Sequence, residues 1–378
     1  MAILLLLFGC FALAVGIQLI FILFVFTKTA SYRIVDTSDK GFTPGISIVV
    51  CAWDELENLR ELLPMLLEQQ YPDFEVIIVD DRSTDGTYDY LLEACQSNIN
   101  LRHVHVEQTP AHITSKKYAL TLGIRAAKKD VILVTDADCR PSSLGWVSTM
   151  VGQLSEDKDL VLGFSPYQRR SGLLNAFVRF ETFYTALQYF SLALVRIPYM
   201  GVGRNLMYRR TLFLENKGFN GHLDVMGGDD DLFVNRVATA QNTAICLDPV
   251  SFVWSLPKTT WQTWYRQKRR HLSVGRHYLP RFRRILGLLA LSQLFTWLLF
   301  VGLLITFVGL REWLWAGLTA GLFLIRLVAL WIVYAAANRR LGRLINAWAL
   351  PFYDGVLSLY HAWMGGLTVF SRKKLKWR

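Results

Sequence analysis

The stretch VILVTDAD, residues 131–138, decides the fold that we predict for this chain. Its first five residues are apolar or β-branched and indicate a buried strand, and Asp136 and Asp138 follow directly at the strand's end. In open α/β sheets, ligands bind beyond the carboxyl ends of the strands. Carboxylate oxygens there suit Mg²⁺ or Mn²⁺, although an isolated Asp-x-Asp also occurs in solvated turns. The stretch therefore predicts a strand of an α/β sheet with a candidate metal site at its end.

The chain upstream alternates between strand and helix signals. Buried strands are predicted at 46–51 and 75–80 and a third strand at 101–106, and helices at 54–69, from about 88, and at 116–127. Such alternation predicts an α/β fold with a mostly parallel, Rossmann-like sheet and helices on both faces.

Apolar segments flank this region. Hydrophobic residues make up 52% of the chain and charged residues 19%, and the apolar excess lies at the two ends. Residues 3–26, 285–310 and 313–337 are each long enough to span a bilayer. Lys28 follows the first segment, so we expect a retained anchor with the next domain in the cytoplasm, at the inner membrane if the source is bacterial. For residues 350–370 we favour an interfacial or re-entrant segment, because a crossing would place the basic tail outside.

These signals predict a division of the chain into successive regions. They are an N-terminal anchor (1–28), a cytoplasmic catalytic domain (44–255) with amphipathic helices that could lie at the membrane surface (163–200), a basic and aromatic juxtamembrane segment (256–284), two transmembrane helices (285–337), and a last apolar segment with a basic tail (338–378). The net charge of +11 is concentrated beside the apolar segments. Contact with membrane lipid explains that charge pattern better than binding of nucleic acid.

Two further loops carry acidic residues at predicted strand ends. VDDRSTDG, residues 79–86, places Asp80 and Asp81 after a buried strand, where a carboxylate can accept from a base N–H or from ribose hydroxyls. We expect Asp85 to cap the following helix. CAWDE, residues 51–55, offers a small Ala52 beside which a flat base can lie, and Asp54 is either a ribose ligand or a helix cap.

A third acidic run, GGDDD at 227–231, is the candidate source of a general base. Crowding of ionised carboxylates raises the pKa of at least one of them, which suits proton abstraction near neutral pH. The alternative is that the aspartates lie at a helix N-terminus, where the helix dipole favours negative charge. Both can hold at once.

Basic residues supply candidate phosphate ligands. Lys116 and Lys117 open a predicted helix, and either could meet a phosphate or simply face solvent. The segment WQTWYRQKRRH, residues 261–271, combines aromatic and basic residues on a predicted helix. Its guanidinium groups can pair with a diphosphate or form a collar that binds anionic lipids.

The order of these motifs resembles that of family 2 glycosyltransferases over about residues 45–278. The flanking apolar segments resemble those of the membrane-integrated branch, which includes cellulose and hyaluronan synthases and ceramide glucosyltransferase. The resemblance implies a GT-A fold, inverting transfer from a UDP- or GDP-sugar, and a Mg²⁺ or Mn²⁺ cofactor. It also implies a role in making a cell-envelope polysaccharide or a glycolipid.

Residue by residue, the resemblance implies the following roles. Nucleotide-sugar binding falls to Ala52, Asp54, Asp80, Asp81, Asp136, Gln267 and Arg270, with Asp80 in support. To this group we add Lys116, the possible phosphate ligand at the start of a predicted helix. Metal binding falls to Asp138 and Asp136, the base to Asp229 or Asp230, and the acceptor side to Arg204, Asn205 and His271. His271 stands where the family's Gln-x-x-Arg-Trp motif has Trp, which argues against a processive polymerase.

Our hypothesis is therefore a membrane-anchored enzyme that transfers a sugar to a hydroxyl of a lipid-linked or glycan acceptor. A processive polysaccharide synthase is the alternative within the family. A nucleotidyltransferase would also use paired aspartates but would not need Gln267 and Arg270. A membrane receptor for nucleotide-sugars or anionic lipids is the non-enzyme alternative.

Overall fold

The computed structural model describes residues 1–34 and 43–370. These residues divide into two units, which we call the α/β unit and the helical unit. The α/β unit contains the described residues of Arg33–Val178 and of Arg196–His277. The helical unit contains Met1–Tyr32, Arg179–Val195 and the described residues from Tyr278 onward. The predicted basic tail at 371–378 lies outside the described residues.

The sheet of the α/β unit confirms the predicted alternation. Its strands are β1 Ile46–Ala52, β2 Phe74–Asp80, β3 Leu101–His105, β4 Val131–Asp136, β6 Leu160–Leu162, β7 Leu206–Arg209 and β8 Thr243–Ile245. In the described residues they form one sheet in the order β3-β2-β1-β4-β7-β6-β8. The first four strands are parallel, whereas β7 runs antiparallel to both β4 and β6. A separate pair, β5 Cys139–Pro141 and β9 Val253–Ser255, is antiparallel.

Helices cover both faces of this sheet. The helices that lie wholly in the α/β unit are α3 Leu56–Leu67, α4 Thr87–Ser97, α5 Ser115–Ala126, α6 Trp146–Val151, α8 Arg210–Glu215, α9 Asp231–Val237 and α10 Trp261–Gly275. Side chains alternate between the two faces of a strand. Ile48 and Val50 accordingly join the core that contains Leu62 of α3. On the opposite face Gly123 of α5 lies so close to Val49 that a Cβ there would be 2.6 Å from Val49 Cγ1.

The helical unit contains the predicted spanning segments. Its helices are α1 Ala2–Ile20, which continues through a π-helical stretch, Phe21–Phe26, into α2 Thr27–Ala30; α11 Pro280–Gly309; α12 Trp313–Arg340; α13 Leu350–Phe370; and most of α7 Leu173–Leu194. In the described part of the chain, three helices are long and apolar enough to cross a membrane: Ala2–Ala30, α11 and α12. The three-residue segment 310–312 connects α11 to α12.

Other parts of the predicted division stay predictions. Residues 350–370 form one helix, and its depth in a bilayer stays a prediction, as does a surface position for residues 163–200. The juxtamembrane segment 256–284 is divided in the structure, because residues up to His277 belong to the α/β unit.

A buried polar cluster joins four helices of the helical unit. Arg326 of α12 and Asp354 of α13 form an ion pair with both side chains fully buried. Gln18 of α1 accepts from the Arg326 guanidinium at 3.0 Å, and Gln293 of α11 donates to Asp354 Oδ1 at 2.7 Å. Trp297 Nε1 donates to Asp354 Oδ2 at 2.8 Å. These bonds tie α13 to the helices that can span the membrane.

Candidate active site

The carboxyl ends of three parallel strands bring the predicted acidic loops together. β1 lies between β2 and β4, so the chain leaves β1 to one side for β2 and later returns on the other side for β4. Ala52 is paired with Asp80, and Cys51 with Asp136. Such a reversal of strand order opens a crevice in which α/β proteins bind ligands.

The loops after β1 and β2 are bonded to each other. The Asp54 carboxylate accepts from the backbone N–H of Thr84 at 2.7 Å, and the Asp54 N–H donates to Ser83 Oγ at 2.9 Å. Glu55, not Asp54, is the N-cap residue of α3, so the helix-cap alternative for Asp54 is wrong. Asp54 is exposed and has a left-handed backbone with φ 53°, which a short polar side chain tolerates.

The aspartates that follow β2 take different positions. Asp80 is fully buried and accepts from the Ser83 N–H at 3.1 Å, which fits the supporting role predicted for it. Asp81 is paired with Arg82 at 2.9 Å. Gly86, not Asp85, is the N-cap residue of α4, so the prediction that Asp85 caps this helix is wrong in its position. Asp85 precedes the cap and accepts from Thr87 N–H at 3.0 Å and from Leu56 N–H of α3 at 2.9 Å.

The Asp-x-Asp motif after β4 forms a compact group of possible metal ligands. One ligand atom from each of Asp136, Asp138 and Cys139 lies within 4.8 Å of the others. Burial, and then the charge of Asp136, raises the pKa of the Asp138 carboxyl. A divalent cation would relieve this repulsion, and two carboxylates suit the hard ions Mg²⁺ and Mn²⁺. The residues present therefore fit the predicted metal.

Lys116 connects this motif to the second acidic cluster. Its ammonium lies 2.9 Å from Asp136 Oδ1 and 3.1 Å from Asp229 Oδ2. Burial alone would lower the pKa of Lys116, but Asp136 and Asp229 outweigh it and raise that pKa well above its usual value. Lys116 therefore stays charged beside both carboxylates.

Lys117, its neighbour, has a structural position instead. Its ammonium is buried and donates to the carbonyl oxygens of His222 at 2.6 Å and of Val225 at 2.5 Å. Burial lowers its pKa to about 8. Lys117 thus anchors the loop that precedes the GGDDD run.

His222 makes the stability of this loop dependent on pH. Burial, then Lys117 and Arg236, lower the pKa of His222 from 6.5 to about 4. The unfolded chain therefore binds more protons between these values, so stability is full above pH 6.5 and falls as the pH drops toward 4, by about 3 kcal/mol at most. Thermal unfolding of the wild type and of His222→Gln across this range measures the difference. Equal pH slopes for the two proteins would contradict the prediction.

The aspartates of the GGDDD run separate into two roles. Asp230 is the N-cap of α9: one of its oxygens accepts from Asp231 N–H at 2.8 Å and the other from Gly203 N–H at 2.7 Å. Burial and then Asp229 raise the pKa of Asp230. Burial also acts to raise the pKa of Asp229, but Lys116 outweighs it and the net shift is downward. The carboxylate that faces the Asp-x-Asp motif through Lys116 is thus Asp229, and it stays ionised.

The glycines before these aspartates allow α10 to lie close to the acidic loop. Gly227 and Gly228 have φ values of 84° and 76°, which side chains rarely adopt. A Cβ on Gly227 would lie 3.8 Å from Arg270 Cγ and 3.3 Å from Val274 Cγ2. The stem of Arg270 therefore runs beside the acidic loop.

Arg204 and Gln267, both predicted for the site, contact the same tyrosine. The Arg204 guanidinium lies 4.5 Å from the centre of the Tyr167 ring, and Gln267 Nε2 donates to the Tyr167 hydroxyl at 3.2 Å. His271 is on the exposed side of α10.

The side chain of Asn205, the residue after Arg204, is buried in the core instead. It is fully buried, and its side-chain amide donates to the carbonyl oxygens of Phe164 and Ser251 and accepts from Trp146 Nε1 at 3.0 Å. All these bonds are made inside the core, so the side chain that we predicted for the acceptor side supports the fold instead.

Two residues near the site were not predicted from the sequence. Burial raises the pKa of Glu55, with contributions from Asp138 and Asp136, so Glu55 lies in the field of the metal motif. Its position directly after Asp54, in a loop already predicted to bind the nucleoside, could have indicated that it lies near the site. Tyr167, which contacts both Arg204 and Gln267, belongs to no motif, and only the fold brings it there.

Comparison with known proteins identifies the domain that carries the first part of this site. The family model described as "Glycosyl transferase family 2" matches residues 47–215. The chain contains a family 2 glycosyltransferase domain. The match includes the Asp54, Asp81 and Asp138 loops and ends before Asp229 and Arg270, so the roles of those two residues in the glycosyltransferase domain stay predictions.

Relatives of the glycosyltransferase domain are enzymes of the same class. A probable glycosyltransferase of Bacillus subtilis is 26% identical over 261 residues, which cover 63% of this chain and 57% of that protein. A hyaluronan synthase of Pasteurella multocida is 32% identical over 120 residues, or 31% of this chain and 12% of that one. The chain thus spans less than two thirds of the length of these relatives.

One solved structure has the same fold. It is a mannosyltransferase of Pyrobaculum calidifontis in complex with GDP-mannose and Mn²⁺, with a TM-score of 0.59 and 19% identity over 94% of this chain and 99% of that one. At that identity the likeness confirms the GT-A fold predicted for the glycosyltransferase domain and no more.

Proposed function

We propose that this protein transfers a sugar from a nucleotide-diphospho-sugar to a hydroxyl acceptor, with inversion at the anomeric carbon. One observation carries the proposal. Lys116 is bonded to Asp136 at 2.9 Å and to Asp229 at 3.1 Å, so one ammonium spans the Asp-x-Asp motif and the acidic cluster. A cleft that holds both a candidate diphosphate site and an ionised carboxylate has the groups that inverting transfer requires.

Each group in the cleft has a separate task in this proposal. Asp136 and Asp138 hold Mg²⁺ or Mn²⁺, which when bound offsets the charge of the leaving diphosphate. Asp229 accepts the proton of the acceptor hydroxyl as that oxygen forms its bond to the anomeric carbon. The Arg270 and Lys116 cations stabilise the charge that develops as the sugar–phosphate bond breaks.

The remaining predicted residues bind the two substrates. Ala52, Asp54 and Asp81, at the ends of β1 and β2, contact the nucleoside, and Asp80 supports their loops. Gln267 assists Arg270 at the diphosphate. Arg204 and His271 form the acceptor side.

We further propose a cytoplasmic catalytic unit and a lipid-linked or glycan acceptor. The support is that helices long and apolar enough to span a membrane belong to the same chain. His271, in place of the Trp expected for a polymerase, favours the addition of single sugars.

Donor turnover by the full chain in lipid nanodiscs tests the proposal. Nucleotide diphosphate release from UDP- and GDP-sugars, beginning with GDP-mannose and Mn²⁺, is compared between the wild type and Asp138→Asn. We expect ion-dependent release by the wild type and a large loss in the variant, with product length distinguishing single addition from polymerisation. Glu93→Gln, at an exposed position on α4, is the control. Equal rates in wild type and Asp138→Asn would overturn the metal assignment.

A further inference from the structure

Two histidines and an aspartate form a second cluster at the edge of the sheet. His103 and His105 are two residues apart on β3, so their side chains leave the same face of that edge strand. Asp80, at the end of β2, is paired with His105 in the register of the sheet. The Asp80 Oδ2 atom lies 3.0 Å from His105 Nδ1, and one ligand atom from each of the three residues lies within 4.8 Å of the others.

The contacts of His103 leave part of its hydrogen-bonding capacity unused. Its Nε2 atom is buried and has no hydrogen-bond partner among the described residues. Such an atom costs free energy unless a ligand satisfies it. Tyr88 packs edge-on against both imidazole rings, at centroid distances of 5.3 Å for His103 and 4.8 Å for His105, and so restricts their orientation. Burial lowers the pKa of His103, which keeps the ring in the neutral form that binds metals.

We propose that Asp80, His103 and His105 bind a transition-metal ion of the zinc type. Two imidazole nitrogens and one carboxylate oxygen are a common ligand set for Zn²⁺, and the ion would take the place of the proton shared by Asp80 and His105. Imidazole ligands favour Zn²⁺ over Mg²⁺ and Mn²⁺, whereas the carboxylates of Asp136 and Asp138 suit those harder ions. The side chain of His105 is 37% exposed, which leaves an entry path and room for water as a further ligand.

An ion bound to this cluster would also affect the loops after β1 and β2. The second oxygen of Asp80 accepts from Ser83 N–H at 3.1 Å, and the Ser83 hydroxyl accepts from Asp54 N–H at 2.9 Å. An ion that holds Asp80 therefore stabilises the connection between the loops after β1 and β2. This site differs from the proposed catalytic metal site in its residues, its ligand chemistry and its strand.

Zn²⁺ binding to the full chain, in detergent and freed of metal by a chelator, tests the proposal. Titration calorimetry is done in an Asp136→Asn/Asp138→Asn/Cys139→Ser background, which removes the other group of possible ligands. We expect one Zn²⁺ per chain and a loss of affinity of at least about 100-fold in His105→Gln, since even outer-shell partners of a metal contribute 10–100-fold. His112→Gln, which changes an exposed histidine elsewhere, should bind as the background does.

Co²⁺ absorption supplies a second measurement that does not depend on activity. Visible bands of imidazole-bound Co²⁺ should appear in the background protein and disappear in both His103→Gln and His105→Gln. Because His105 is partly exposed, its variant tests the site even if His103→Gln does not fold. Unchanged Zn²⁺ affinity in His105→Gln, or Co²⁺ bands that survive its substitution, would overturn the proposal.

Discussion

Replacing Asp229 with asparagine is expected to slow sugar transfer by about 10²–10⁴-fold, the range that a general base contributes. Asparagine keeps the shape of the side chain but cannot accept the proton of the acceptor hydroxyl. Because the donor is held by other residues, its affinity should change far less than its turnover. Single-turnover rates and the dissociation constant of the donor, measured separately, distinguish the two effects.

The neighbouring aspartate provides the matched control. Both oxygens of Asp230 accept from backbone N–H groups, those of Asp231 and Gly203, so Asp230→Asn should mainly affect the start of α9. The asparagine oxygen can still cap the helix, but its amide nitrogen cannot accept from the second N–H, and a buried donor left without an acceptor costs about 1–3 kcal/mol of stability. The roles of the two residues would be reversed if Asp230→Asn lost most of its activity and Asp229→Asn stayed active.

The pH dependence of the reaction tests the effect of Lys116 on the pKa of Asp229, the proposed base. Lys116 holds the pKa of Asp229 below its usual value, against the effect of burial. A Lys116→Met variant should therefore need a higher pH to ionise Asp229, and the acidic limb of its kcat/KM profile should move upward. An acidic limb at the same pH in both proteins would mean that Asp229 is not the group that titrates.

The second large effect is expected in the helical unit, where removal of either Arg326 or Asp354 alone should strongly destabilise the helix assembly. Both side chains are fully buried, and deletion of one partner leaves an unpaired charge away from water. Such deletions cost about 3–5 kcal/mol. Arg326→Leu and Asp354→Leu are therefore expected to lower the thermal unfolding midpoint in detergent by many degrees.

The double variant distinguishes the ion pair from general packing. Replacement of both partners by apolar residues is often neutral or even stabilising, so Arg326→Leu/Asp354→Leu should recover much of the loss. Leu298→Ala, at an exposed position on α11, is the control for a harmless change. Single variants that unfold like the wild type, or additive losses in the double variant, would contradict a stabilising ion pair.

The sequence by itself determined the local elements and the class of the fold. Strands β1 to β4, helices α3 to α5 and the three helices that are long and apolar enough to span a membrane lie within a few residues of their predicted bounds, because the spacing of apolar residues indicates which segments are buried or face lipid. The antiparallel strand β7 was not predicted. Its four residues resemble any short apolar run, and its direction depends on a partner far away in the chain.

Only the tertiary structure decided which polar groups meet. Three consecutive aspartates look equivalent in sequence, yet Asp230 accepts hydrogen bonds from backbone N–H groups and Asp229 forms an ion pair with Lys116. Lys116 contacts two carboxylates whereas Lys117 contacts backbone carbonyl groups, and Asn205 is buried. These outcomes depend on where each side chain points and how deeply it lies in the fold, which the residue type alone does not determine. Pairs such as Asp80 with His105 and Arg326 with Asp354 are 25 and 28 residues apart, and only chain folding brings them together.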